Sequence, residues 1–332
     1  GEGMRIERLG VLGAGAWGTA LAQVAAGAGR ETLLWALEPE VAESVNAGHE
    51  NRLYLPGVPL SPVIRCTNDL ADLEGCDAWL VVTPAQHMRS VLDKAPHCGR
   101  PLVLCSKGIE ERSGQMLHHV AAEVCPEAPI AVLSGPTFAH EVAAGLPTAV
   151  TLACEDRELA EALRERISLP TFRIYLSDDI TGAEIGGAVK NVLAIACGVV
   201  DGRGLGLNAR AALIARGFAE MTRFGLALGA KAETLTGMSG LGDLVLTCSS
   251  TSSRNFSLGK GIAEGRSVQA LMSDRRTVAE GAFTAPVLRR LADKHGVDMP
   301  VVAAVDDLLA GRASVESVLE SLLTRPLRAE AR

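Results

Sequence analysis

Along the first 180 residues, short apolar runs alternate with longer amphipathic stretches. The runs at 5–12, 31–35, 78–82, 101–105, 130–133, 149–152 and 172–176 predict strands. Between them, an alanine-rich stretch at 19–29 and the segments 39–46 and 87–94 have helical character, and 51–62 reads as a proline-bearing loop. Strands that alternate with helices imply right-handed crossovers and a mostly parallel sheet. After about residue 180 the pattern changes. Gly, Ala and Leu dominate long stretches of helical period, and strand signals nearly vanish. Asp178 or Asp179 offers a cap for the first long helix. Residues 201–208 and 237–243 read as glycine-rich loops. The expected architecture is α/β, with a sheet domain over 4–185 and an all-helical domain over 186–332.

Composition narrows the function classes. The chain has 332 residues, 48% hydrophobic and 21% charged, enough for two domains with ordinary soluble cores. A net charge of -7, without a dense Lys/Arg run, weighs against a nucleic-acid surface. Aromatics at 3% are too scarce for base-stacking platforms. The 8 cysteines form no CxxC pair and none sits beside a histidine at zinc spacing, which predicts reduced thiols, no metal site and a cytoplasmic protein. The apolar run 192–200 is too short to span a bilayer, and the start of the chain shows no secretory pattern.

One polar residue stands out in the second half. Lys190 lies in an otherwise apolar stretch, Ile-Gly-Gly-Ala-Val-Lys-Asn-Val-Leu-Ala-Ile at 185–195. On a helix its neighbours three and four residues back are Gly187 and Gly186, which carry no side chain and would let another molecule approach. A lysine in such surroundings can lose its charge near neutral pH and act as acid or base. A lysine that snorkels its amine to water fits the same pattern.

Other motifs follow strands. Gly13-Ala-Gly-Ala-Trp-Gly18 fits GxGxxG after the first strand and opens a helix. Gly13 would permit the tight turn, Gly15 the approach of a pyrophosphate, and Gly18 close packing of helix on strand, as in a Rossmann-like domain. Glu38, just past the second strand, is either the acid that binds an adenosine ribose or a first-turn acid of the next helix. Lys107 directly follows a strand, where ligands bind in such sheets. Gly135 and Thr137 also follow a strand and suit a small polar substrate, unless Ser134 or Thr137 merely caps a helix near Pro136. Ser253, Arg254 and Asn255 offer hydroxyl, guanidinium and amide to a phosphate, or form a polar loop.

Taken in order, these segments resemble the bacterial type of NAD(P)-dependent glycerol-3-phosphate dehydrogenase. The match runs from about Leu9 to Pro300 and includes 51–56, 106–108, 135–141, 186–191, 208–210, 240–248, 253–255, Glu280-Gly281 and Thr284. The resemblance implies reversible reduction of dihydroxyacetone phosphate to sn-glycerol 3-phosphate for glycerophospholipid synthesis. It implies a Rossmann-like domain, a helical substrate-binding and catalytic domain, and a site between them. It assigns Lys190 as proton acceptor, with Lys107 and Asp243 beside it as catalytic residues. Substrate contacts would be Lys107, Gly135, Thr137, Lys190, Asp243, Ser253, Arg254 and Asn255. Cofactor contacts would be Gly13, Gly15, Ala16, Trp17, Gly18, Glu38, Lys107, Ala139, Arg254, Val278 and Glu280.

The family often has Arg or His after the Trp of the second strand, where this chain has Leu37 and then Glu38, so of NAD and NADP the former is favoured. Alanine-rich helical faces permit the homodimer that the resemblance suggests. Two other readings remain: a related hydroxy-acid or ketopantoate-type reductase, which would not need the 253–255 phosphate set, and a dinucleotide sensor without catalysis.

Overall fold

A computed structural model describes residues 3–274 and 278–324; the expected second domain extends beyond these, at 275–277 and 325–332. The chain forms two compact units. The first comprises Gly1–Ser106 and Leu117–Ile180, the second Lys107–Met116 and Thr181–Arg332. The break after 180 falls ahead of the expected boundary at 185, and the short segment Lys107–Met116 leaves the sheet unit for the helical one. The reason is apolar. Ile109 and Met116 are buried in the core of the second unit.

The first unit is built on one sheet of eight strands: β1 (Leu9–Leu12), β2 (Thr32–Trp35), β3 (Ile64–Thr67), β4 (Ala78–Val81), β5 (Leu102–Leu104), β6 (Ile130–Ser134), β7 (Thr148–Cys154) and β8 (Phe172–Ser177). Their order is β3-β2-β1-β4-β5-β6-β7-β8. All neighbours are parallel except β6 and β7, which run antiparallel. The central strands β1, β4 and β5 are buried throughout, which is why they read as continuous apolar runs. The apolar pattern missed β3, because only Ile64 and Cys66 are buried there while Arg65 faces outward at the sheet edge. It also missed the helices Leu117–Val124 and Arg157–Ile167. The second of these has low overall hydrophobicity and buries a narrow stripe that includes Leu159, Leu163 and Ile167.

Apart from Lys107–Met116, the secondary structure described in the second unit is helical. Its central helix, Ile180–Gly202, is long and apolar enough to cross a membrane, yet its most apolar window is 100% buried inside the protein. It is a core helix. Two further helices, Leu207–Ala227 and Arg254–Ala263, accompany it. The crossing with Arg254–Ala263 leaves no room for side chains. A Cβ on Gly198 would lie 2.0 Å from the Phe256 carbonyl oxygen, and one on Gly259 would lie 2.0 Å from that of Ile195. Glycines at these points let the backbones touch, a gain that offsets their poor helix propensity.

Residues 237–243, expected as a glycine-rich loop, instead contain a π-helical turn, Met238–Gly242, that runs into the helix Asp243–Thr247. In the 201–208 segment the expected loop is present but shorter: residues 203–206 turn between the helices Ile180–Gly202 and Leu207–Ala227, with Gly204 at φ +64 and Gly206 at φ +91. Glu220, 1% exposed, accepts hydrogen bonds from Val301 N at 2.8 Å and Val302 N at 3.3 Å, so it satisfies the start of the helix Pro300–Leu309.

Gly198→Ala is expected to destabilise the protein by about 1–3 kcal/mol, the usual cost of forcing volume into a packed contact. The urea midpoint should fall with little change in the slope of the transition. An unchanged midpoint would show that the two helices part without cost.

Candidate active site

The glycine turn is shaped by contacts on three sides. Gly13 has φ +116, a region that favours glycine, and a Cβ there would lie 2.9 Å from the backbone of Val82 and Thr83. Its N–H donates to Trp35 O at 3.1 Å, which ties the end of β1 to the end of β2. A Cβ on Gly18 would meet Gly13 O at 1.8 Å, so the helix Ala16–Ala25 sits directly on the turn. Gly15, the N-cap of that helix, has no atom within 4 Å of its absent Cβ. The chain therefore leaves open space beside the backbone at the start of that helix, which lets a pyrophosphate come close to it. The residues present fit a dinucleotide.

Asn51 locks this turn. It is fully buried, and its amide donates to Ala14 O at 2.9 Å and Thr19 Oγ1 at 2.8 Å. The sequence placed Asn51 in a loop and missed this role, because nothing local reports a partner 37 residues away.

The helical unit gathers the expected catalytic trio. Asp243, 1% exposed, accepts from Lys190 Nζ through Oδ1 at 2.8 Å and from Lys107 Nζ through Oδ2 at 2.8 Å. Lys190 Nζ also donates to Thr247 Oγ1 at 3.1 Å, and that hydroxyl donates to Asp243 Oδ1 at 3.3 Å. Thr247 was not singled out from the sequence. Its signal was the i, i+4 spacing from Asp243 on a helix.

The space over Gly186 and Gly187 is taken by the protein itself, a correction to the expected ligand approach. A Cβ on Gly186 would lie 2.3 Å from Ser239 O, and one on Gly187 would lie 3.2 Å from the Lys107 side chain. The two glycines thus admit the π-helical turn that carries Asp243 and the stem of the second lysine.

Snorkelling is also excluded as a description of Lys190, which is 6% exposed and directed at a carboxylate. Burial pushes its pKa down, the Asp243 carboxylate holds it up and the Lys107 ammonium lowers it again, with a result of about 8. For Asp243, burial works against ionisation, but the Lys107 and Lys190 ammonium groups outweigh it and hold the carboxyl below its ordinary range.

The remaining expected residues fall in place as follows. Gly135 follows β6, where a Cβ would lie 2.9 Å from Val150 Cα, and Thr137 Oγ1 donates to Gly135 O at 3.3 Å. Neither Ser134 nor Thr137 caps a helix. The next helix is Ala139–Ala143 with Phe138 as its N-cap, and Ala139 is its first residue. Ala16 and Trp17 open the helix after the glycine turn. Ser253 is the N-cap of the helix Arg254–Ala263 and accepts from Phe256 N at 3.2 Å. Asn255 donates to Asn191 Oδ1 at 3.2 Å and accepts from Gly281 N at 2.8 Å. It thereby joins the lysine helix to the segment with Val278 and Glu280, the latter being the N-cap of the helix Gly281–Lys294.

A glycine turn with a helix start fit for a pyrophosphate and, on the same chain, a buried lysine able to exchange a proton suit a nicotinamide-dependent dehydrogenase, and the family comparisons place the protein in that class. The profile of the NAD-dependent glycerol-3-phosphate dehydrogenase N-terminus matches residues 8–160, and that of its C-terminus matches 179–320. A glycerol-3-phosphate dehydrogenase [NAD(P)+] of Erythrobacter litoralis is 66% identical over 96% of this chain and 97% of its own. One from Novosphingobium aromaticivorans is 62% identical over 97% of this chain and 98% of its own. The crystal structure of glycerol-3-phosphate dehydrogenase from Coxiella burnetii has a TM-score of 0.91 at 38% identity and covers 96% of this chain and 99% of that one. The chain belongs to the NAD-dependent glycerol-3-phosphate dehydrogenase family.

The pKa of Lys190 sets a pH profile. If this lysine exchanges the proton, ketone reduction needs it protonated and should decline as pH rises through about 8, while alcohol oxidation should decline as pH falls through the same value. Asp243→Asn removes the charge that favours the ammonium and should move both midpoints lower. Rates of kcat/KM against pH in the two directions check this, and an unmoved midpoint in the variant would detach Asp243 from the titration.

Proposed function

We propose that the chain reversibly reduces dihydroxyacetone phosphate to sn-glycerol 3-phosphate with NAD or NADP, a step that feeds glycerophospholipid synthesis. The observation that carries this reading is a buried carboxylate paired with two lysines, Asp243 with the buried Lys190 and the half-buried Lys107. A reduced nicotinamide, when bound, would supply the hydride for the carbonyl carbon. Lys190 donates a proton to the oxygen as it becomes a hydroxyl, and in the reverse direction the neutral amine takes that proton. Asp243 and Thr247 fix the direction of the amine by accepting one hydrogen bond each, and the Thr247 hydroxyl is held in turn by donating to Asp243. Lys107 adds positive charge where negative charge develops on the substrate oxygen.

The sheet unit would hold the dinucleotide, with Gly13, Gly15, Ala16, Trp17, Gly18, Glu38 and Ala139 as contacts. The helical unit would hold the substrate, with Ser253, Arg254 and Asn255 for its phosphate and Val278 and Glu280 for the cofactor. Gly135 and Thr137 would complete the substrate contacts. We place the protein in the cytoplasm, without a nucleic-acid partner.

Lys190→Ala should lower kcat by at least about a hundredfold, the low end for a general acid–base residue, with folding intact. Oxidation of NADH or NADPH in the presence of dihydroxyacetone phosphate is the direct assay. Equal turnover of non-phosphorylated ketones would overturn the assignment of the phosphate set, and absence of turnover would leave a binding protein.

The proposed assembly is a homodimer. The helix Leu207–Ala227 leaves an apolar groove on its outer side, lined by Ala211, Ile214, Ala215, Phe218 and Ala219 with Leu241. Leu207, 68% exposed, extends the same helix face. Sedimentation of the unaltered protein should give twice the mass of the chain, and Phe218→Asp should give one. A monomer at micromolar concentration would refute the assembly.

A further inference from the structure

We infer that Glu38, held in place by Tyr54, makes this enzyme select NAD(H) over NADP(H). The inference rests on the dinucleotide reading of the glycine turn and names which of the two nucleotides the turn accepts.

The position follows from the sheet. β1 and β2 are parallel neighbours with Leu12 opposite Trp35, so the residues after β2 lie beside the glycine turn after β1. The bond from Gly13 N to Trp35 O fixes that register. Residues at this place in a parallel dinucleotide-binding sheet face the adenosine ribose. An acid there accepts a hydrogen bond from the 2′-hydroxyl, whereas a 2′-phosphate needs a cation.

Glu38 is anchored at both ends. Its carbonyl accepts from Asn68 Nδ2 at 3.0 Å, and the same amide donates to Ala36 O at 2.9 Å. Trp35 Nε1 in turn donates to Asn68 O at 3.2 Å. Its side chain accepts from Tyr54 Oη through Oε1 at 2.6 Å. Tyr54 belongs to the segment that locks the turn, because its N–H donates to Asn51 Oδ1 at 3.1 Å and Asn51 donates to Ala14 O. Asn51 and Tyr54 therefore join Ala14 of the glycine turn to the Glu38 carboxylate. One oxygen is held by the tyrosine, and the other is left to accept from a ligand. The helix that begins at Pro39 takes no side-chain cap from Glu38, so the acid is not spent on that role.

The nearby basic residues are turned to other places. Leu37, 67% exposed, offers no donor. Arg52 packs at Gly48, where a Cβ would lie 3.2 Å from its Nη2, at the opposite end of the helix that Glu38 precedes. Arg65 sits opposite Leu33 within the β2–β3 pair rather than at its end. Among the described residues around the end of β2, a 2′-phosphate, with three acceptor oxygens and nearly two negative charges, would meet a fixed carboxylate and no matching cation.

The test compares kcat/KM for NADH and NADPH with dihydroxyacetone phosphate, together with dissociation constants from the fluorescence of each reduced nucleotide. The unaltered protein should prefer NADH by at least about tenfold, as expected where a like charge opposes the second ligand. Glu38→Arg should swing the ratio toward NADPH by at least about a hundredfold, chiefly through affinity. Tyr54→Phe should lower the NADH preference severalfold and leave NADPH affinity in place, a change in ratio that a merely structural loss would not produce. Equal or better use of NADPH by the unaltered protein overturns the inference while the dinucleotide reading stands. Binding of neither nucleotide overturns both.

Discussion

The Asp243 carboxylate between two ammonium groups is the interaction on which the site depends. A buried carboxylate is costly unless paired, and removing one partner of such a pair typically costs several kcal/mol. Here both oxygens are used, and the partners come from three separate stretches of chain. Lys107 follows a strand of the sheet unit, Lys190 lies on the core helix, and Asp243 begins the helix after the π-helical turn. Other features serve this contact. The glycines at 186 and 187 allow the turn and the Lys107 stem to reach the helix surface. Ile109 and Met116 root the Lys107 segment in the helical core.

The same arrangement explains how a lysine becomes a usable acid and base. Burial alone would push Lys190 toward permanent neutrality, and the carboxylate alone would keep it charged. Lys107 weakens the hold of Asp243 by sharing it. The opposing effects leave a pKa of about 8, near the value at which a proton can be given and taken back. Asp243 stays ionised against burial because both ammonium groups favour its charge.

Much of the sheet unit was legible because its strands are buried on both faces and read as apolar runs. The edge strand β3 was not, since an edge residue such as Arg65 breaks the run without breaking the strand. In the helical unit, Lys190 was visible as an ammonium in an apolar stretch, but its neighbours Gly186 and Gly187 were misread as room for a ligand. Sequence spacing shows that a glycine leaves space and not what fills it. The π-helical turn was also hidden, because glycines signal a loop equally well.

The sequence by itself determined the alternation of strand and helix, the glycine turn with its open helix start, and the presence of an unusual lysine. Those are local properties, set by side-chain period, by positive φ at glycine and by hydrophobicity. The tertiary structure alone decided which charges meet. The sequence could say only that Lys107 and Asp243 are charged residues assigned to the same site as Lys190, which leaves the balance of charge on its amine open. Contact distances of 2.8 Å on both sides of one carboxylate decide the balance. Electrostatic energy in a buried site depends on separation and burial, and neither is a property of the linear chain.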